Sequence, residues 1–451
     1  MLLYKNIEKQ FEEQPNYLVL AALLNGAIVM NFHKLIYRNP ILMCVLIFFL
    51  IVSIIDIKKW WATVVNCLIC IVLQVNLFPR IGNHSSLLLI ISLIIGVLIL
   101  IKISRFRFKI NPNFISFLFR TVVVTIYFYT GFHKLNTDYF NTCVSCVNEI
   151  NNYTLYNILN TPFKITNGLS TFFQWSALFI ECIVPFGILH YKLRKIAILI
   201  LLCFHSYLSL SVFADFSATA LFLLLGCAID LNKKEISLKT IFYLKIYLTT
   251  ILLAILGYSL LKLTSVNPLK HRFLQGFVFN IGFVLFAFHY LKTIDFPRFQ
   301  FNRNYFFPLL TCSVVISIWT LKTYIGLGNK GNLTMFSNLV TEKSMNNHLL
   351  IDTNKTKLFD YEEDNVYIVS LNNPYIKEDY NGYKLPVVEF RFLVNYWNRK
   401  YKTPIPCTLI YKGKKIVYSD IRNSPFKEAK WWYKYLPFRK IQTTTPNRCR
   451  W

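Results

Sequence analysis

The chain has 451 residues, of which 55% are hydrophobic and 17% aromatic, and its mean hydropathy is +0.42. A soluble domain of ordinary surface does not carry that much apolar side chain, so a water-soluble globule is excluded and a polytopic membrane protein is expected. The formal net charge of +27, from 49 Lys and Arg against 22 Asp and Glu, is gathered in short loops between apolar runs and in the C-terminal part, which positive-inside placement explains without a nucleic-acid partner.

A bilayer-spanning helix needs about 20 apolar residues, fewer where neighbouring helices shield it. The apolar runs predict spans near 17–36, 41–56, 60–78, 86–104, 114–134, 171–190, 195–212, 216–230, 240–262, 272–291 and 306–325. The expected fold is an all-α polytopic membrane helix bundle of about 9 to 11 spans. Residues 1–15 are mixed in charge and the first apolar run lacks a small-residue cleavage site, so that run is expected to stay as the first span. The basic connections at 102–109, 191–195, 230–239 and 292–303 fall on one side when eleven spans are counted, and that side is expected to be the cytoplasm. The N-terminus is then cytoplasmic. The connections at 79–85, 135–168, 214–216 and 266–271 are extracytoplasmic, as is the C-terminus, and the sequons at Asn83, Asn152, Asn332 and Asn354 share that side.

From about residue 329 the composition becomes that of an extramembrane module, with 21 Lys and Arg against 11 Asp and Glu from Lys330 onward. The run 386–401 opens on proline and keeps apolar residues at helical spacing. Residues 365–370 read as a strand, and 408–411 and 415–418 as a hairpin around Gly413. The predicted division is a helical bundle over 1–328 and a small extracytoplasmic α+β module over 329–451.

The chemistry-bearing stretch is 125–148, where the fifth apolar run ends on His133 and Lys134 and is followed by Asn136, Asp138 and a Cys143-x-x-Cys146 pair. A lysine is expensive to hold in hydrocarbon, and ionisable residues at membrane depth usually mark function. Two readings of Lys134 stay open: a cation that snorkels to the interface, or an amine kept in an apolar pocket, partly free base and able to take a proton. Further along, Arg120, Glu181 and His205 interrupt apolar runs. Glu181 and His205 each lie about ten residues into their spans, hence at similar depth. His205 is either a satisfied interior histidine or a hydrogen-bonding group for a ligand oxygen; Glu181 either orients it or anchors a helix, and Arg120 suits a carboxylate partner. Tyr127 and Tyr129 fit an interfacial belt. Cys143 and Cys146 are a candidate disulfide or redox pair, whereas Cys67 and Cys70 read as interior hydrophobes. The eight histidines show no metal-ligand spacing.

The segment 127–139, Tyr-Phe-Tyr-Thr-Gly-Phe-His-Lys-Leu-Asn-Thr-Asp-Tyr, resembles the region around the catalytic base of vitamin K-dependent gamma-glutamyl carboxylase and its bacterial relatives, the horizontally transferred transmembrane domain (HTTM) family. The run 175–185 with Glu181, then Arg194, the Phe204-His205 pair and 213–216, is similar to later motifs of that family in the same order. Residues 335–348 look like the segment that bacterial members carry after the last span. The resemblance covers roughly 17–300. It implies that Lys134 deprotonates reduced vitamin K or another isoprenoid quinol, that His205 is catalytic, and that His133, Tyr129 and Glu181 contact the cofactor. Its implied chemistry is that of a carboxylase, of carbon–carbon lyase or ligase type, linked to quinol oxygenation. The implied partners are the lipid bilayer, a lipid quinone and a protein or peptide substrate on the outer side. The 329–451 module is much shorter than the substrate-recognising portion of the animal carboxylase, which separates quinol chemistry from glutamate carboxylation. Two other readings remain: a quinone-linked thiol redox protein using Cys143 and Cys146, and a non-catalytic membrane scaffold whose basic outer tail engages anionic lipid or glycan.

Overall fold

The computed structural model describes residues 13–78, 82–103, 111–160, 165–211, 213–263, 268–294, 301–442, 446–447 and 449. The expected connections at 104–109 and 295–300, and the parts of others at 79–81, 161–164 and 266–267, lie outside these residues, as do 1–12. The chain folds as two compact units: Met1–Leu73 with Leu87–Phe132 and Val147–Ser317, and Gln74–Ser86 with His133–Cys146 and Ile318–Trp451.

The first unit is helical. Each of the eleven predicted runs is a helix: α1 Asn16–Asn31, α2 Pro40–Ile55, α3 Trp61–Leu77, α4 Asn83–Ile103, α5 Pro112–Phe132, α7 Asn167–Cys182, α8 Arg194–Ser211, α9 Ala214–Ala228, α10 Leu238–Leu263, α11 Pro268–Thr293 and α12 Phe306–Leu321. Between α5 and α7 runs a further helix, α6 Cys146–Leu159, inside what reads as an outer loop. Among the described residues six helices are long and apolar enough to cross a membrane, and five of the apolar helices are shorter.

Local chemistry sets the boundaries. Asn39 accepts the Leu42 amide at 3.2 Å with Pro40 in the first turn of α2, and Asn111 accepts the Phe114 amide at 2.9 Å ahead of Pro112 in α5, both N-terminal caps joined to a proline whose missing N–H loses nothing there. The predicted 171–190 span runs through Pro185, and the chain breaks accordingly: α7 stops at Cys182 and a 3-10 turn, Val184–Ile188, follows.

Every residue of α9 is buried, including Asp215, Ser217 and Thr219 in its first turns, as expected of a helix with no solvent-facing polar stripe. It packs on α1, α5, α8 and α11. At one crossing a Cβ on Gly276 of α11 would lie 1.9 Å from the Ser209 carbonyl oxygen of α8, so only glycine lets these backbones meet.

The second unit carries a four-stranded antiparallel sheet in the order β2-β1-β3-β4, from β1 Asn365–Leu371, β2 Lys384–Pro386, β3 Cys407–Tyr411 and β4 Lys414–Tyr418. Val366 pairs with Leu385 on one side and Tyr411 on the other. The hairpin turns on Lys412 and Gly413, both at positive φ, the left-handed pair whose twist suits a two-residue loop. Pro386 hands the chain from β2 to α13, Val387–Lys400, which lays Phe390, Leu393, Val394 and Trp397 on Val366, Ile368 and Leu409. The predicted strand, helix and hairpin are all present; β2 is additional.

Candidate functional site

In the second unit, residues 133–146 and 324–348 weave into a buried polar knot. Lys134 is 3% exposed and His133 fully enclosed, so Lys134 does not reach solvent. His133 Nδ1 meets the Tyr324 hydroxyl at 2.7 Å, and the Tyr324 ring stands edge-on to His348. His348 Nδ1 accepts the amides of Leu350 and Ile351 at 3.1 and 3.0 Å, which leaves Nε2 as the protonated nitrogen of the neutral ring. Burial, reinforced by His348 and Lys134, pushes the His133 imidazole down to about 3, so it is uncharged at physiological pH.

Asn136 and Asn347 hold the knot together. Asn136 accepts the Tyr139 amide at 2.9 Å and donates to the His133 carbonyl at 2.8 Å. The Asn347 side chain donates to Asp138 at 3.0 Å and to the Asn338 carbonyl at 2.9 Å, while its Oδ1 accepts the Val340 amide at 2.9 Å. Asn338 Oδ1 in turn accepts the Cys146 amide at 2.8 Å. Leu333, Phe336 and Asn338 adopt positive φ within six residues, an uncommon conformation for residues with a side chain, and one that concentrates at functional sites. Asn332 is buried with its amide on the Gly328 carbonyl at 2.7 Å; that sequon cannot carry a glycan in the fold, whereas Asn152 and Asn354 are exposed.

The cysteine pair is corrected. Cys146 is bonded to Cys449, and Cys143 is an exposed free thiol. The spacing of two cysteines suggested a local couple; the fold instead brings a residue 303 positions away, which sequence spacing cannot reveal. The thiol redox reading thereby loses the pair it needs.

A second constellation lies inside the helical unit. The Tyr127 hydroxyl of α5 bonds His205 Nε2 of α8, Phe216 of α9 packs on the imidazole at 5.1 Å, and Ser217 donates to the His205 carbonyl at 2.8 Å. His205 is fully buried and its Nδ1 meets no hydrogen-bond partner among the described residues. Buried Glu181 of α7 lies within electrostatic reach of Tyr127, so the tyrosine is the group that both neighbours share. Helices α5 and α7 come close because residue 131 is glycine: a Cβ there would lie 2.3 Å from Cys182 Sγ. Tyr129 is half-buried against Phe128 and Phe132. Arg120 lies over the Phe117 ring at 5.1 Å and donates to the Cys227 carbonyl at 3.4 Å.

Sequence reasoning missed Tyr127 as the partner of His205, because two tyrosines two residues apart in an aromatic run give no helical phase. It also missed Lys322, half-buried directly after α12, whose ammonium burial pushes down to about 8. Its signal was a cation abutting an apolar run, the signal that singled out Lys134.

Compared with family models, with curated proteins and with solved structures, the chain matches none.

Proposed function

We propose that this chain is an integral membrane enzyme of the vitamin K-dependent gamma-carboxylase-like, HTTM type, acting on a lipid-soluble quinol. Its N-terminus faces the cytoplasm and its tail the opposite side. The observation that carries the reading is the enclosure of Lys134, a lysine held out of water beside a neutral imidazole, where a proton-accepting group can meet a lipid-soluble substrate away from solvent. A snorkelling lysine would stand exposed, and this one is 3% exposed.

The residues fit a quinol. The fully buried His205 Nδ1, which has no hydrogen-bond partner among the described residues, calls for a polar partner, and a quinol oxygen is one that an apolar bundle can admit. Bound, a reduced isoprenoid quinone supplies an acidic phenolic hydroxyl and, with oxygen, a route to a base strong enough for carbon-acid chemistry, carboxylation included. Lys134, within its own unit, is the proton acceptor this chemistry calls for. Within the helical unit, His205 offers Nδ1 to a polar partner, and its Nε2 contact with Tyr127 fixes the ring. Glu181 sets the electrostatic environment of that tyrosine. His133, neutral and bonded to Tyr324, adds no competing positive charge beside Lys134.

The test is purification in mild detergent, followed by solvent extraction and mass spectrometry of co-purifying isoprenoid quinones. Wild-type protein should carry a quinone at a substantial fraction of one per chain, and His205→Leu should carry less. Absence of quinone from wild type, with no change on adding reduced vitamin K, would overturn the reading in favour of a non-catalytic scaffold.

A further inference from the structure

An apolar cavity of about 320 Å³ opens in the helical unit among α1, α3, α4, α5 and α9, at the small end of the range for ligand sites. Its walls are mostly Leu, Ile and Val side chains with Phe119 and Phe222, and it has Tyr17 and Trp60 at one extreme and Leu24, Ile71 and Val122 at the other. The lining positions run from Tyr17 to Leu24 on α1, Thr63 to Ile71 on α3 and Ile115 to Val122 on α5, each at the beginning of its helix, and from Ile91 to Leu98 at the end of α4. The cavity therefore starts at one end of the unit and runs inward for on the order of 10 Å. Gly96 lines it, and a Cβ there would meet nothing within 4 Å. Of its few polar side-chain atoms, the Thr63 hydroxyl is engaged by the Ala21 carbonyl at 3.0 Å and the Ser92 hydroxyl by Cys70 Sγ at 3.8 Å. Beyond Tyr17 and Trp60 at its end, such a wall offers a guest chiefly hydrocarbon contact.

Charge at the cavity's end identifies the rest of the guest. Lys58 and Lys59, both exposed, precede Trp60 directly, and Lys245 Nζ reaches the Ile55 carbonyl at 3.0 Å. Three ammonium groups thus lie at the turn between α2 and α3, where among the described residues Asp56 is the acidic neighbour, its Oδ1 accepting the Lys58 amide at 2.9 Å; at the start of α1, by contrast, Glu13 and Asp230 stand near Tyr17. Tryptophan and tyrosine prefer the headgroup level of a bilayer, and lysines there attract phosphate.

We propose that this cavity seats one acyl chain of an anionic phospholipid of the cytoplasmic leaflet, with its phosphate at Lys58 and Lys59. The site rests on the bilayer reading of the helices and is independent of quinol chemistry; a quinone carries no charge for these lysines to read.

The full-length protein in native membranes is first tested for resistance to alkaline carbonate, which reads bilayer residence by itself. It is then illuminated with phosphatidylglycerol bearing a diazirine in mid-chain, with phosphatidylcholine of the same chain, and with a diazirine isoprenoid quinone. Crosslinks from phosphatidylglycerol should map to 60–71 and 91–98. Gly96→Leu and Ala21→Leu should each lower capture roughly fivefold, about the share of one buried methylene or a little more. Gly257→Leu, at a glycine whose Cβ also meets nothing and which lies outside the cavity, should leave capture unchanged and serves as the folding control. Lys58→Glu with Lys59→Glu should erase the preference for phosphatidylglycerol over phosphatidylcholine. Equal capture of the two phospholipids by wild type, capture indifferent to both filling variants, or preferential capture of the quinone would each overturn the proposal. A carbonate-extractable protein would instead remove the bilayer reading beneath it.

Discussion

Two lysines sit where apolar helices end, Lys134 after α5 and Lys322 after α12, and they differ in enclosure. Lys134 is buried in the knot around Asn136 and Asn347, whereas Lys322 is half-buried with its ammonium pushed down to about 8. A depressed pKa alone would nominate Lys322; enclosure among strained, hydrogen-bonded backbone nominates Lys134. Lys134→Ala should therefore reduce quinol-dependent oxygen uptake by roughly 100-fold or more, as loss of a general base does, and Lys322→Ala by less than roughly tenfold. Oxygen-electrode traces with reduced vitamin K measure both, and the opposite ranking would move the proton acceptor to Lys322. How far such residues can be read beforehand depends on phase and reach. Lys134, Glu181 and His205 stand out because charge interrupts hydrophobicity, but which tyrosine faces His205 depends on helix rotation, and a run that includes Tyr127, Phe128 and Tyr129 leaves that rotation undetermined.

The elements follow the same division. Long apolar runs announced eleven helices, since hydrophobicity over a dozen residues outweighs local propensity. Helix α6 escaped because Asn148, Asn151 and Thr154 read as loop, yet all three are buried, with Thr154 bonded to Ser211 at 2.5 Å. The 326–348 segment escaped likewise: its Asn, Ser and Thr residues replace a hydrophobic core with side-chain-to-backbone bonds. The bond from Cys146 to Cys449 ties the first residue of α6 to the end of the chain. Cys449→Ser should lower the stability of the tail-bearing unit by about 2–4 kcal/mol; limited proteolysis should then release the C-terminal peptide, and non-reducing peptide mapping of wild type should show 146 joined to 449 with Cys143 alkylated. A second element-scale effect concerns Glu362, enclosed with Lys357. Burial, helped by Glu342, pushes its carboxyl up to about 7 from 4.5. The folded unit thus favours the protonated carboxyl more than the unfolded chain does, so the contribution is fully present below the unfolded value of about 4.5 and is lost as pH rises through the raised folded value. Glu362→Gln should flatten the fall in melting temperature between pH 5 and 7.5, while Lys357 keeps Glu363 at 3.2 Å.

At the scale of the whole molecule, the bilayer reading and its orientation meet in the cysteines. Cys143 is exposed and free in the tail-bearing unit. Cys44 and Cys203 are also exposed and free, but they lie on α2 and α8 among exposed Ile41, Val45, Phe48, Ile196 and Leu199. Such continuous apolar surface is what lipid covers and water does not tolerate. A membrane-impermeant maleimide applied to intact cells should therefore label one site, lost in Cys143→Ser, whereas Cys44 and Cys203 should react only after denaturation. In Cys143→Ser, labelling of Cys44 or Cys203 in intact cells would remove the lipid from those faces. Labelling of Cys143 only after the cells are opened would reverse the orientation and put Lys58 and Lys59 on the outer side. Because positive-inside placement is a bias over many loops rather than a property of any one of them, this single thiol decides what the +27 net charge only suggests.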